Sequence, residues 1–178
     1  SYDKSIIDEI YGIQLYEPLN MALEGDSVRM ENGYAVNNWK EDFYDDGMLM
    51  HRGYYIDGQL KVFKNYYPNG QIEREFKNID GFRSLQKKFY PDGTLKSEVK
   101  YMGGSPLLWV DYYANGNVEF YEEFHKSFLY HISKKSYYET GQEETVLKRV
   151  KKLSFIQNDF YNNGVTKQKG TLSYDLNA

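Results

Sequence analysis

The sequence has no cysteine, four prolines, two tryptophans and three histidines. Without thiols there are no disulfides and no thiolate metal sites, and the redox character of the compartment is left open. No apolar run approaches the roughly 18 residues that a membrane-spanning helix needs. The histidines, His51, His125 and His131, have no partners at the spacing of a metal site or a catalytic triad and read as surface or edge residues. Asp-rich stretches such as Asp45-Asp46-Gly47 and Asp57-Gly58 lack the twelve-residue calcium pattern with its closing Glu, so they read as turns. Paired acids such as Glu122-Glu123 and Glu143-Glu144 point to opposite faces of a strand and cannot act jointly. No catalytic residue, metal ligand or cofactor is indicated.

Aromatic residues are abundant instead: 17% of the 178 positions, nineteen of them tyrosine. Mean hydropathy is −0.76, low for a compact globule. Aromatic and β-branched side chains suit flat, half-exposed strands, so this composition favours an extended β structure. The net charge of −4 is unevenly spread: residues 1–50 hold 3 basic and 11 acidic side chains, and residues 51–100 hold 10 and 6. An acidic beginning beside a basic middle is not a nucleic-acid footprint. The chain opens on Ser1 rather than Met. A removed signal or lipid-attachment segment and a cloning boundary explain this equally well, which leaves cytoplasmic and exported locations both open.

The aromatics are periodic. Tyr66-Tyr67-Pro68-Asn69-Gly70 returns as Phe89-Tyr90-Pro91-Asp92-Gly93, with further copies ending at Gly47, Gly116, Gly141 and Gly164. The intervals are 23, 23, 23, 25 and 23 residues. A fixed period of this size is the mark of a repeat architecture. Each Tyr-Pro-Asp-Gly-like step reads as a type I turn closed by a glycine in the left-handed region, the usual three-residue hairpin loop. The residue four before each glycine then faces the residue two after it, giving Phe43–Leu49, Tyr66–Ile72, Phe89–Leu95 and Tyr112–Val118. One step further out the same count predicts Val62 opposite Phe76 and Leu85 opposite Val99. Trp39, Val62, Leu85, Leu108, Ser133 and Ile156 would form a narrow apolar face. Strand charges such as Arg74 and Glu75 would meet water.

A second reversal follows eleven residues after the first, at Asp57-Gly58, Asp80-Gly81 and Gly103-Gly104. The 25-residue interval absorbs its two extra residues within 117–136, most simply at that second reversal. The expected fold is all-β: an elongated antiparallel meander of stacked 23-residue hairpins over residues 21–178. Residues 1–20 are expected to cap it, with a short helix started by Asp3 and ended by Gly12.

The unit resembles the MORN repeat in its bacterial variant, Tyr-Tyr-x-Asn-Gly-x-Leu followed by a polar strand and a second Gly. The resemblance covers about residues 39–170. It implies a scaffold or partner-binding protein without enzymatic activity, and bacterial chains of this kind resemble the YwqK-type family, linked to antitoxin or immunity roles. It also implies, as an alternative, a membrane-surface adaptor for acidic phospholipid head groups. The glycine loop with following Lys and Ser/Thr that would hold nucleotide phosphates is missing, which excludes a kinase reading drawn from related repeats.

The candidate binding residues are the tyrosines three before each glycine: Tyr44, Tyr67, Tyr90, Tyr113, Tyr138 and Tyr161. Their hydroxyls either tie one hairpin to the next or present an aromatic ladder to a protein partner, since Tyr is enriched at hot spots. Lys148-Arg149-Val150-Lys151-Lys152 is the densest basic stretch and would be the lipid contact in the membrane alternative. A hydrolytic site around His125 and His131, within 121–136, is the remaining alternative.

Overall fold

The computed structural model describes residues 14–15, 28–151 and 153–173. The expected helix over residues 3–12 lies outside them. Every regular element described is a strand: β1 (Gln14–Leu15), β2 (Arg29–Glu31), β3 (Tyr34–Ala35), β4 (Asn38–Phe43), β5 (Leu49–Ile56), β6 (Gln59–Tyr66), β7 (Ile72–Asn78), β8 (Arg83–Phe89), β9 (Leu95–Met102), β10 (Ser105–Tyr112), β11 (Val118–Phe124), β12 (His131–Tyr137), β13 (Glu143–Lys151), β14 (Ser154–Phe160) and β15 (Thr166–Ser173). Strands β1–β3 form a small sheet, and β4–β15 follow one another in sheet order as in chain order. The protein is an antiparallel meander of hairpins. It divides into two compact units, the first holding the described residues up to Gly93 with Tyr101–Ser105, the second Thr94–Lys100 with those from Pro106 onward.

The repeated turns form as the spacing predicts. At all six, the glycine N–H donates to the tyrosine carbonyl three residues back at 2.8–2.9 Å, and the glycine φ lies between +81° and +90°. Only glycine takes that conformation without strain. An Asx or Thr side chain just before the glycine accepts from the N–H just after it: Asp46, Asn69, Asn115, Thr140 and Asn163 do so. This local bond explains why the turn position is polar. Phe43–Leu49, Tyr66–Ile72 and Tyr112–Val118 pair as expected.

Beyond those pairs the register departs from expectation. Phe63, not Val62, faces Phe76, because a β-bulge leaves Glu73 without a partner. The same slip skips Met50, Glu119, Glu144 and Lys167, always three residues after the glycine. A bulge adds one residue to one strand and exchanges the faces beyond it. The buried face of the first unit therefore carries Phe63, Phe76 and Tyr101 beside Asn65, Arg74 and Gln86. Phe63 and Phe76 stack at 6.2 Å, and the Arg74 guanidinium lies over the Phe63 ring at 5.3 Å. Arg74, expected in water, is 3% exposed, whereas Trp39, expected on the apolar face, is 52% exposed. In the second unit Phe155, Leu147 and Tyr130 cluster, with Leu153 against them.

The second reversals also form where the sequence marks them. Asp57-Gly58 is a two-residue loop with both φ values positive, as is Gly103-Gly104. Asp80 holds its wider loop by accepting from the N–H groups of Phe82 and Arg83. The Phe82 N–H chiefly, then the Arg83 side chain, pull the Asp80 carboxyl down to about 2. In the longer interval the extra residues sit at the His125–Tyr130 loop between β11 and β12.

Candidate binding faces

The tyrosine positions do one thing repeatedly. Tyr44 donates its hydroxyl to the Tyr66 carbonyl at 2.6 Å, and Tyr67 to Phe89 at 2.8 Å. Tyr113 donates to Tyr137 at 2.7 Å, and Tyr138 to Phe160 at 2.9 Å. Each bond runs from one turn to the residue entering the next, across one repeat. Burial first, then nearby carboxylates, push the hydroxyls of Tyr44, Tyr67 and Tyr113 upward, which keeps them protonated donors. Tyr90 occupies the same position before Gly93 and is half-buried. Tyr161, in the last repeat, is 51% exposed, with Lys167 over its ring at 5.8 Å.

A second row of bonds runs beside the first at the turn tips. Asn69 donates to the Pro91 carbonyl, Asn115 and Asn117 to the Glu139 carbonyl, and the Thr140 hydroxyl to Asn162. The 23-residue period thus repeats the hydrogen-bonded joints between hairpins as well as the hairpins. The tyrosine rings remain partly exposed along this edge.

The outer face of the first unit is differently built. Trp39, Tyr54 and Val62 are successive cross-strand neighbours on β4, β5 and β6, and the Trp39 and Tyr54 rings meet edge to face at 5.4 Å. Two residues along the same strands lies a charged row of Glu41, Arg52, Lys64 and Glu75. An open groove of about 270 Å³ lies on this face, and its lining includes Trp39, Arg52, Val62, Lys64, Tyr66 and Lys77.

The face beneath holds a polar cluster that sequence reasoning missed. Arg29 donates twice to Asp42 (2.9 and 2.6 Å) and once to Tyr55 (3.2 Å). His51 bridges the Tyr55 hydroxyl at 2.9 Å and the Asn65 amide oxygen at 2.6 Å. His51 is 1% exposed, not a surface residue, and burial drives it down to about 4 despite its bond to Asn65. The bulge before His51 turns it inward, and nothing in residue type announces that. The β2–β3 hairpin carrying Arg29 docks through backbone bonds, Arg29 N–H to Gly58 carbonyl and Gly58 N–H to Val36 carbonyl, at 2.7 and 2.8 Å.

His125 and His131 take different partners. His125 stacks on Tyr130 at 4.6 Å, and Arg149 lies over the same Tyr130 ring at 5.1 Å. His131 meets Glu122 at 3.0 Å and packs against Phe124 at 4.2 Å. Among the described residues no group of three His, Asp or Glu side chains could hold a metal ion. No helix among them is long and apolar enough to cross a membrane, which says nothing of strands.

Fold and joints together define an all-β hairpin-repeat protein, with tyrosine hydroxyls at Tyr44, Tyr67, Tyr113 and Tyr138 tying one hairpin to the next. Residues 59–78 and 85–102 match the MORN repeat variant family. The first matched stretch holds the β6–β7 hairpin and the second the β8–β9 hairpin without Arg83 and Ser84, each with its glycine turn in the middle. MORN repeats are generally protein- and membrane-binding modules. A search of curated proteins gives no match.

Proposed function

We propose that this protein is a non-enzymatic binding module that holds another protein, in a scaffold or antitoxin-like role. The observation that carries the reading is the outer face of the first unit. There a half-exposed Trp39 stands edge to face with Tyr54 and lines a groove shared with charged side chains. Exposed aromatic anchors with a polar rim are what protein interfaces use. Tyr44, Tyr67 and Tyr90 in the first unit, and Tyr113, Tyr138 and Tyr161 in the second, add partly exposed rings as further contacts within each unit. The test is affinity capture with the full chain from its native cell extract. A protein partner retained by the chain and lost on Trp39→Ala supports the reading. Recovery of no protein, with binding to lipid instead, would overturn it.

One observation favours the membrane reading. In the second unit Lys148, Arg149 and Lys151 are exposed beside Val150, itself 57% exposed, and Leu129 in the β11–β12 loop is 54% exposed. Cations beside apolar side chains suit an anionic bilayer surface. Vesicles of phosphatidylserine and phosphatidylcholine test it by co-sedimentation. Under the protein-binding reading no appreciable binding occurs at physiological salt. Firm binding abolished by neutralising Lys148, Arg149, Lys151 and Lys152 would establish the membrane reading instead.

A further inference from the structure

Arg52 and Lys64 face each other directly across β5 and β6, both exposed on the outer face of the first unit. Like charges placed directly opposite destabilise a sheet. Each has an acid on its far side, Glu41 at 3.6 Å from Arg52 and Glu75 at 3.8 Å from Lys64, but these exposed contacts are long and weak. The order across the four strands is acid, base, base, acid. The two cations thus adjoin at the middle of the row, where both line the groove. Apolar Trp39 and Val62 line the same groove together with a third cation, Lys77, and the Arg52 guanidinium lies over the Trp39 ring at 4.9 Å. That contact holds the guanidinium in place at the groove.

We propose that the Arg52–Lys64 pair seats a carboxylate of an extended partner peptide whose residues alternate between apolar and acidic. This rests on the protein-binding reading and names the partner's chemistry. The apolar and charged rows lie two residues apart along a strand, about 7 Å. A peptide in extended form points successive side chains to opposite sides. Laid along the groove, it turns one set towards Trp39 and Val62 and the other towards the cations. A carboxylate between Arg52 and Lys64 relieves their repulsion, and the adjacent apolar wall strengthens the pairing by excluding water.

The probe is a fluorescein-labelled synthetic peptide of about eight residues alternating Glu with Leu or Phe, long enough to span the groove. Its controls are the same peptide with Lys for Glu and an all-Glu peptide of equal length. Anisotropy titrations of the full chain should show binding by the alternating acidic peptide, little by the all-Glu peptide, and none by the Lys peptide. Binding should weaken as salt rises, and fall about tenfold or more in Lys64→Glu and in Trp39→Ala. Both side chains are exposed, and a thermal melt of each variant checks that the fold is retained. Failure of the acidic peptide to bind, or equal binding by folded Lys64→Glu, would overturn the proposal. Native-extract capture separates the two levels. A partner held equally by wild type and Lys64→Glu leaves protein binding standing and removes this seat, whereas capture of no partner removes the wider reading.

Discussion

At the residue scale, His51 and Arg29 show how polar groups come to sit in the core of a repeat protein. Arg29 and Asp42 are 1% and 3% exposed at their side chains, with the bidentate geometry that makes such a pair tolerable. Arg29→Ala leaves a buried carboxylate without its cation and should cost about 3–5 kcal/mol. Arg29→Met with Asp42→Leu should recover much of this, and denaturant midpoints of the three variants check it. His51 is about 4 when folded against an ordinary 6.5. The unfolded chain therefore binds more protons between those values, so stability falls as pH drops through that window and is flat above it. The difference between pH 7.5 and pH 5 should be about 2 kcal/mol, and His51→Gln should remove most of it. An unchanged slope in that variant would mean another group carries the pH dependence.

At the element scale the hairpin loops are held by glycine for two separate reasons. Gly116 has φ +88° and open space where a Cβ would stand, so Gly116→Val carries only the conformational cost, at least about 1–2 kcal/mol. Gly93 has the same φ, and its added atoms would also press on the Gln71 side chain at 3.2 Å. Gly93→Val should therefore melt below wild type by at least as much as Gly116→Val does. Gly58 differs again. A Cβ there would meet Val28 at 2.6 Å and the Arg29 carbonyl oxygen at 2.7 Å. Gly58→Ala should undock the β2–β3 hairpin, seen as faster amide exchange at Arg29 and Val36 while the turns at Gly70 and Gly93 keep their protection.

At the scale of the whole molecule, stability is a sum over repeats and the joints between them. Tyr67 makes its joint within the first unit and Tyr113 within the second. Each Tyr→Phe change removes one hydrogen bond, so each should cost about 1 kcal/mol. The pair should add to within about 0.5 kcal/mol, because the two joints share no partner. Unchanged melting in both single variants would mean that these hydroxyls contribute nothing to the fold. A partner lost without any change in melting would place the binding surface at the tyrosine edge.

Period, turn type, strand direction and the first cross-strand pairs Phe43–Leu49, Tyr66–Ile72 and Tyr112–Val118 were legible in the sequence alone. All four depend on residues near each other in the chain: a glycine that must take positive φ, an Asx that accepts from the N–H two residues on, an aromatic four before it. The position of the extra residues at the β11–β12 loop follows from the same count. What could not be read was which face turns inward, because one bulge at Met50, Glu73 and their counterparts exchanges the faces and leaves no mark in residue type. Val62 and Phe63 are adjacent hydrophobic residues, and only the register made in three dimensions buries Phe63 and leaves Val62 on the outer face. The buried Arg29–Asp42–His51–Asn65 cluster and the facing of Arg52 and Lys64 follow from that register. They are contacts between strands, decided by tertiary structure because the sequence specifies each strand's neighbours only through the turns that join them.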